Sequence, residues 1–122
     1  MGKFMIRVVG SGMKFDLYAA NGEEIATSEV YDTRAACLRG IESVRKNAPG
    51  AKLEDQTLEP ATKATNPKFE LYQDRGGGYR FRLRARNGQI IAASDGYTAK
   101  SSCLGGIESV RANVLDAEVE EA

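Results

Sequence analysis

The sequence predicts an α+β protein made of two tandem β3-α-β repeats that build one mostly antiparallel sheet, with two helices on one face. Three observations lead there. Residues 21–47 read NGEEIATSEVYDTRAACLRGIESVRKN and residues 87–113 read NGQIIAASDGYTAKSSCLGGIESVRAN, in constant register with about half of the positions identical. That is an internal repeat. Ahead of each Asn-Gly, apolar and polar residues alternate with period two, the mark of a half-buried strand. Behind it, Cys37, Ile41 and Val44, and again Cys103, Ile107 and Val110, recur at helical spacing.

Each copy opens on a β-rich run, KFMIRVV in the first and KFELYQD in the second, that ends at glycines: Gly10-Ser11-Gly12 and Gly76-Gly77-Gly78. The second copy has one extra residue in this turn. In the second strand, Phe15, Leu17 and Ala19 alternate with Lys14, Asp16 and Tyr18, while Phe81, Leu83 and Ala85 alternate with Arg80, Arg82, Arg84 and Arg86. Asn21-Gly22 and Asn87-Gly88 predict two-residue type I′ hairpins, which would pair Tyr18 with Ile25 and Arg84 with Ile91. The third strands are then residues 23–28 and 89–94.

Asp32 and Thr98 are candidate N-caps for the helices. Arg45 and Arg111 fall in the last turns, where cations suit the helix dipole. Asn47 and Asn113 fit a left-handed position just past the helix, and Pro49 blocks continuation in the first copy. AKLED and AEVEE follow in equivalent places as fourth strands. The stretch 57–67, TLEPATKATNP, is polar, holds two prolines and lacks periodicity, so it reads as a linker. The organisation is repeat 1 over 1–56, linker over 57–67 and repeat 2 over 68–122. About 55 residues are near the lower limit for an independent core, so the copies are expected to share one compact, pseudo-twofold domain.

The whole chain has 122 residues, 42% hydrophobic and 28% charged, with 17 basic and 17 acidic side chains. No bulk field favours a membrane surface or nucleic acid. No apolar run approaches the ~20 residues of a membrane span, and MGKFMIRVV lacks the features of a signal peptide. A cytoplasmic, monomeric protein without cofactor is the expectation, its partner unknown.

The pattern F-x-L-x-A-x-N-G-x-x-I-A-x-S-x-x-Y, followed by C-L-x-G-I-E-S-V-R-x-N, covers nearly the whole chain. It resembles the YegP family of small bacterial proteins, also called UPF0339 or DUF1508. The resemblance implies that two β3-α-β units complete one sheet by exchanging their C-terminal strands. Residues 51–55 would then lie beside the second copy and residues 117–121 beside the first. It implies no functional residues, the family being uncharacterised.

The chain contains no histidine, so the commonest general base and transition-metal ligand is missing. Cys37 and Cys103 sit on the apolar stripes and read as buried packing residues, with a thiol-based redox protein as the alternative. Ser28-x-x-Tyr31 and Ser94-x-x-Tyr97 recur at the strand-to-helix turn and read as turn architecture rather than an anion site. Gly40 and Gly106 inside the helices read as sites of close backbone approach.

The arginines Arg80, Arg82, Arg84 and Arg86 distinguish the second copy, where the first carries Lys14, Asp16, Tyr18 and Ala20. Alternation puts them on the sheet face away from the helices, joined there by Arg7 and Tyr72. Such a face could bind single-stranded nucleic acid or another anion, with Arg82, Arg84 and Arg86 as anion contacts and Tyr18 and Tyr72 as stacking surfaces. The favoured reading keeps the arginines as a solvated face balanced by Glu70, Asp16 and Asp74. The protein then reads as a non-enzymatic binding or interaction module.

Overall fold

In the computed structural model, which describes residues 2–122, the predicted order of elements holds. Repeat 1 contributes β1 (Lys3–Val9), β2 (Gly12–Tyr18), β3 (Glu24–Thr27), α1 (Arg34–Asn47) and β4 (Lys52–Asp55). Repeat 2 contributes β5 (Lys68–Gln73), β6 (Tyr79–Arg84), β7 (Ile90–Ala93), α2 (Lys100–Asn113) and β8 (Glu118–Glu121). All eight strands form one sheet, in the order β4-β5-β6-β7-β3-β2-β1-β8.

Each repeat folds its first three strands as an antiparallel meander. The two meanders meet at a single antiparallel pair, Thr27 opposite Ala93. These residues are equivalent in the two copies, so the pseudo-twofold axis passes between them. The fourth strands are exchanged: β4 runs parallel to β5 of the other repeat, and β8 runs parallel to β1. Neither repeat completes its own sheet.

Both helices lie on one face, each packed against its own second strand and the other repeat's third strand. Between helices and sheet sit Phe4, Phe15, Phe69 and Phe81, none with more than 1% exposure, together with Ile41, Val44, Ile107 and Val110. Phe4 meets Phe15 edge-on at 5.6 Å, and Phe69 meets Phe81 the same way at 5.9 Å. The apolar members of the alternating strands thus face the helices, as their period requires.

Several local expectations are corrected. The Asn-Gly hairpins carry three-residue loops. Ala19 donates to the Glu23 carbonyl and Gly22 to that of Ala19, and within these two loops positive φ falls on Gly22 and Gly88, at 88° and 87°, not on the asparagines. This is a type I turn closed by a left-handed glycine. Asn21 and Asn87 serve by accepting from the amides of Glu23 and Gln89 instead of turning left-handed themselves. Tyr18 therefore pairs with Glu24 and Arg84 with Ile90, and a bulge follows in each hairpin. Ile25 and Ile91 are buried rather than on the open face.

The helix caps also shift by one residue. Thr33, not Asp32, caps α1, its Oγ1 accepting from Ala36, and Ala99, not Thr98, occupies the N-cap of α2 without a side-chain bond. Asn47 and Asn113 are the last helical residues rather than left-handed ones, and each donates Nδ2 back to the carbonyl four residues earlier, on Ser43 and Ser109.

Gly40 and Gly106 make room for a side chain, not for backbone. A methyl group at either position would collide with the phenol oxygen of Tyr31 or Tyr97. These rings stack on Phe15 and Phe81 at 6.3 and 6.4 Å. Gly40→Ala is expected to cost about 1–3 kcal/mol through overpacking. In urea unfolding, Tyr31→Phe should restore part of that loss, because it removes the atom in closest conflict. A strictly additive double variant would contradict this packing.

The linker is tied to the outer edge of the sheet. The Thr62 amide donates to the Asp55 carbonyl, the Ala64 amide to Glu54 Oε1 and the Lys52 amide to the Pro67 carbonyl.

Candidate binding face

The sheet face opposite the helices carries the polar members of the alternating strands. In repeat 2 they converge on Glu70, which is only 4% exposed. Glu70 Oε1 accepts from Arg82 Nε at 2.5 Å and from Arg84 Nε at 2.8 Å, while Oε2 lies 3.3 Å from Lys68 Nζ. Lys68 also reaches Glu54 at 2.9 Å. Strand register explains the cluster: Glu70 lies opposite Arg82, and Lys68 opposite both Arg84 and Lys52. The Arg82 guanidinium rests 4.5 Å from the Tyr72 ring, a cation–π distance. Arg80 pairs with Asp74 at the neighbouring turn.

Repeat 1 presents different chemistry at equivalent places. Asp16 replaces Arg82, Tyr18 replaces Arg84, Met5 replaces Glu70 and Arg7 replaces Tyr72. Asp16 accepts from Arg7 Nε at 2.6 Å and from Thr27 Oγ1 at 2.7 Å. Tyr18 sits below the Lys3 ammonium at 5.8 Å.

The five residues predicted for a site therefore divide. Arg82, Arg84 and Tyr72 come together. Tyr18 stands in the other repeat, with β7 and β3 between its strand and β6. Arg86 leaves the face, because the strand ends at Arg84 and the turn carries Arg86 into a groove beside α1, lined also by Arg39 and Lys46. In sequence Arg39 and Lys46 look like ordinary exposed helix cations, and nothing there places them beside Arg86.

Three carboxyls, Glu54, Glu70 and Asp16, are held below their ordinary range, and a fourth, Glu24, is held above it. Lys68 and the Gln56 side chain, with the Ala64 amide, bring Glu54 down to about 2. Burial pushes Glu70 up, but the bonds from Arg82 and Arg84 outweigh it and leave it below its ordinary value. Asp16 behaves in the same way through Arg7 and Thr27. Glu24 is raised by burial and by the neighbouring Asp16 charge.

A carboxyl with a depressed folded pKa stabilises the fold while ionised. That contribution is complete above about pH 5 and is lost as pH falls through the folded value. Glu24 has the opposite sign, favouring the fold when protonated, and partly offsets the loss. Denaturant midpoints are expected to fall between about pH 5 and pH 2. Glu54→Gln should be less stable than the parent at neutral pH yet decline less steeply with acid. An equally steep decline would contradict the assignment.

The recurring turn residues have structural work. Ser28 Oγ accepts from the Phe15 amide and donates to the Glu29 carbonyl, and Ser94 does the same between Phe81 and Asp95. Cys37 and Cys103 are free and fully buried. Burial pushes both thiols up, Cys103 to about 11. Native protein at neutral pH is expected to leave a thiol reagent unreacted, with both cysteines titrating on unfolding; fast native reaction would revive the redox reading. Among the described residues no group of three or more potential metal-ligating side chains occurs, and no helix is long and apolar enough to cross a membrane.

A family model described as "Domain of unknown function (DUF1508)" matches residues 12–55 and 74–121, one segment in each repeat. The chain belongs to this family. A DUF1508-family relative, the UPF0339 protein YegP of Escherichia coli O157:H7, is 39% identical over 111 residues, covering 91% of this chain and 87% of that one. The UPF0339 protein PA0329 of Pseudomonas aeruginosa is 34% identical over 110 residues, 89% of this chain and 86% of the other. A UPF0339 protein of Methanosarcina acetivorans is 60% identical over 52 residues, which make up 43% of this chain but 90% of that protein. Its length is that of one repeat. The solution structure of yegP from E. coli, titled a protein of unknown function, superposes with a TM-score of 0.79 at 33% identity, covering 98% of this chain and 91% of that one. The UPF0339 protein SO3888 of Shewanella oneidensis gives 0.79 at 29% identity, covering 98% and 90%.

Proposed function

We propose that this DUF1508-family protein is a non-enzymatic binding module that works through the open sheet face of its second repeat. The observation that carries the reading is the way Glu70 holds its arginines. Arg82 and Arg84 both donate to it through Nε. Among the described residues Arg82 makes no other hydrogen bond, and Arg84 uses only Nη1, on the Gly88 carbonyl. The buried carboxylate orients the two guanidinium groups and leaves terminal N–H groups for an anionic ligand, the donor geometry that suits phosphate and carboxylate.

Tyr72 favours one class of anion. A half-buried tyrosine ring with the Arg82 guanidinium over it, beside Arg84, offers a base a π-surface and its backbone two contacts, the combination used by proteins that bind single strands. The ligand class is therefore single-stranded nucleic acid, bound weakly because Glu70 and Glu54 oppose it.

Fluorescence anisotropy of a labelled mixed-sequence oligonucleotide, at low and moderate salt, tests this reading. Saturable binding that weakens with salt, and falls at least about fivefold in Arg82→Gln/Arg84→Gln, supports it. Glu70→Gln should strengthen binding. Absence of binding at low salt, or indifference to the double substitution, would overturn the nucleic-acid reading and direct the search to protein partners.

A further inference from the structure

The pseudo-twofold axis relates two grooves that share four equivalent lining positions and differ in charge. One lies between α1 and the turn after β6. It is open, about 320 Å³ in volume, and contains Arg39, Lys46 and Arg86 with Ser43 and Asn87. Its counterpart, about 290 Å³, lies between α2 and the turn after β2. In sequence the equivalents of Arg39, Lys46 and Arg86 are Gly105, Ala112 and Ala20; of these Gly105 lines the second groove, whose wall carries the Glu23 carboxylate.

Among the described residues none of these three cations makes an ion pair. The single carboxylate in the cationic groove, Glu42, is 3.2 Å from Arg45 and so already engaged. This contrasts with the open face, where the described arginines are carboxylate-bound. Lys46 has an ordinary explanation, as a cation in the last turn of a helix. Arg39, in the middle of α1, and Arg86, on a turn, are exposed and have neither the dipole nor an ion pair to hold them. The helix dipole opposes an anion at this end, so affinity must come from the side chains.

We infer that this groove binds a small phosphorylated molecule through Arg39, Lys46 and Arg86. Two guanidinium forks and an ammonium match a group bearing two or more negative charges on closely spaced oxygens. The side chains of Ser43 and Asn87 add neutral polar groups. Among the described residues no aromatic side chain lines the groove, so recognition falls on the phosphates rather than on a stacked base. The volume is at the small end of the range for ligand pockets. This site stands apart from the open face and does not depend on it.

The test uses the whole chain and inorganic pyrophosphate, followed by amide NMR at constant ionic strength with sodium chloride as the control. Expected are saturable shifts at Arg39, Lys46, Arg86 and Asn87, and none at the equivalent residues Gly105, Ala112 and Ala20. Arg39→Ala/Lys46→Ala/Arg86→Ala should lower the affinity read at Asn87 at least about tenfold, while Glu23→Gln in the counterpart groove leaves it unchanged. All three substituted side chains are exposed, and shift mapping on the unmodified protein gives the answer independently of the variant's folding. Shifts matched by chloride, shifts equal in both grooves, or an affinity that the triple substitution leaves unchanged would each overturn the inference.

Discussion

Phe81→Ala is expected to cost about 3–5 kcal/mol, the range for emptying a buried aromatic site. Its ring is fully buried and touches Phe69 edge-on and Tyr97 face-on. Domains of this kind have only about 5–15 kcal/mol in total. The loss is therefore a large fraction of the total stability and should show as a large drop in the denaturant midpoint. Phe15→Ala should behave alike, because Phe15 occupies the equivalent place against Phe4 and Tyr31. Since each helix packs across both repeats, either substitution should lower one shared unfolding transition. Two separate transitions, one per repeat, would contradict a common core.

Arg45→Ala is the second large effect, at about 2–4 kcal/mol. From the end of α1, Arg45 donates to the Val114 carbonyl at 2.8 Å and the Ala117 carbonyl at 2.5 Å, and lies 5.1 Å from the Phe4 ring. It thus fastens the segment leading into the exchanged strand β8. Arg111 repeats the arrangement on Ala51 and Phe69, with one carbonyl instead of two and a buried Nε left unpartnered. Its removal should cost less. A second link joins the same elements: Arg34 pairs with Glu121 and Lys100 with Asp55. The Arg34 pair is roughly half exposed on both sides, so Arg34→Ala should cost less than about 1 kcal/mol. Denaturant midpoints should rank Arg45→Ala as most destabilised, then Arg111→Ala, then Arg34→Ala. An Arg45 variant no weaker than the Arg34 variant would remove the arginine from its role in holding the exchange.

Much of the architecture was legible because it is periodic and local. Alternation in Phe15, Leu17, Phe81 and Leu83 marks the buried strand faces, and Cys37, Ile41 and Val44 mark the helix stripe. Strand exchange was legible only through family resemblance, since AKLED and AEVEE contain too little alternation to choose a neighbour. Asn-Gly announced a turn but not its length, because Asn can either adopt positive φ or bond to the amide two residues ahead, and here it does the latter. Arg45 and Arg111 suited the helix dipole in sequence, while their carbonyl partners lie in the other repeat. Arg86 was misplaced because the alternation of β6 was carried one residue pair beyond the strand's end. Arg39 and Lys46 gave no signal, since their significance depends on what stands across the groove and across the pseudo-twofold axis.

We propose that the symmetric scaffold presents an asymmetric sheet face, with oligonucleotide binding on that face confined to the second repeat. Residue-resolved amide NMR with a mixed single-stranded oligonucleotide tests it most directly. The account predicts saturable, salt-sensitive shifts at Tyr72, Arg80, Arg82 and Arg84, with Asp16 and Tyr18 unmoved. Shifts of equal size at the equivalent positions of both repeats, or none at low salt, would contradict it.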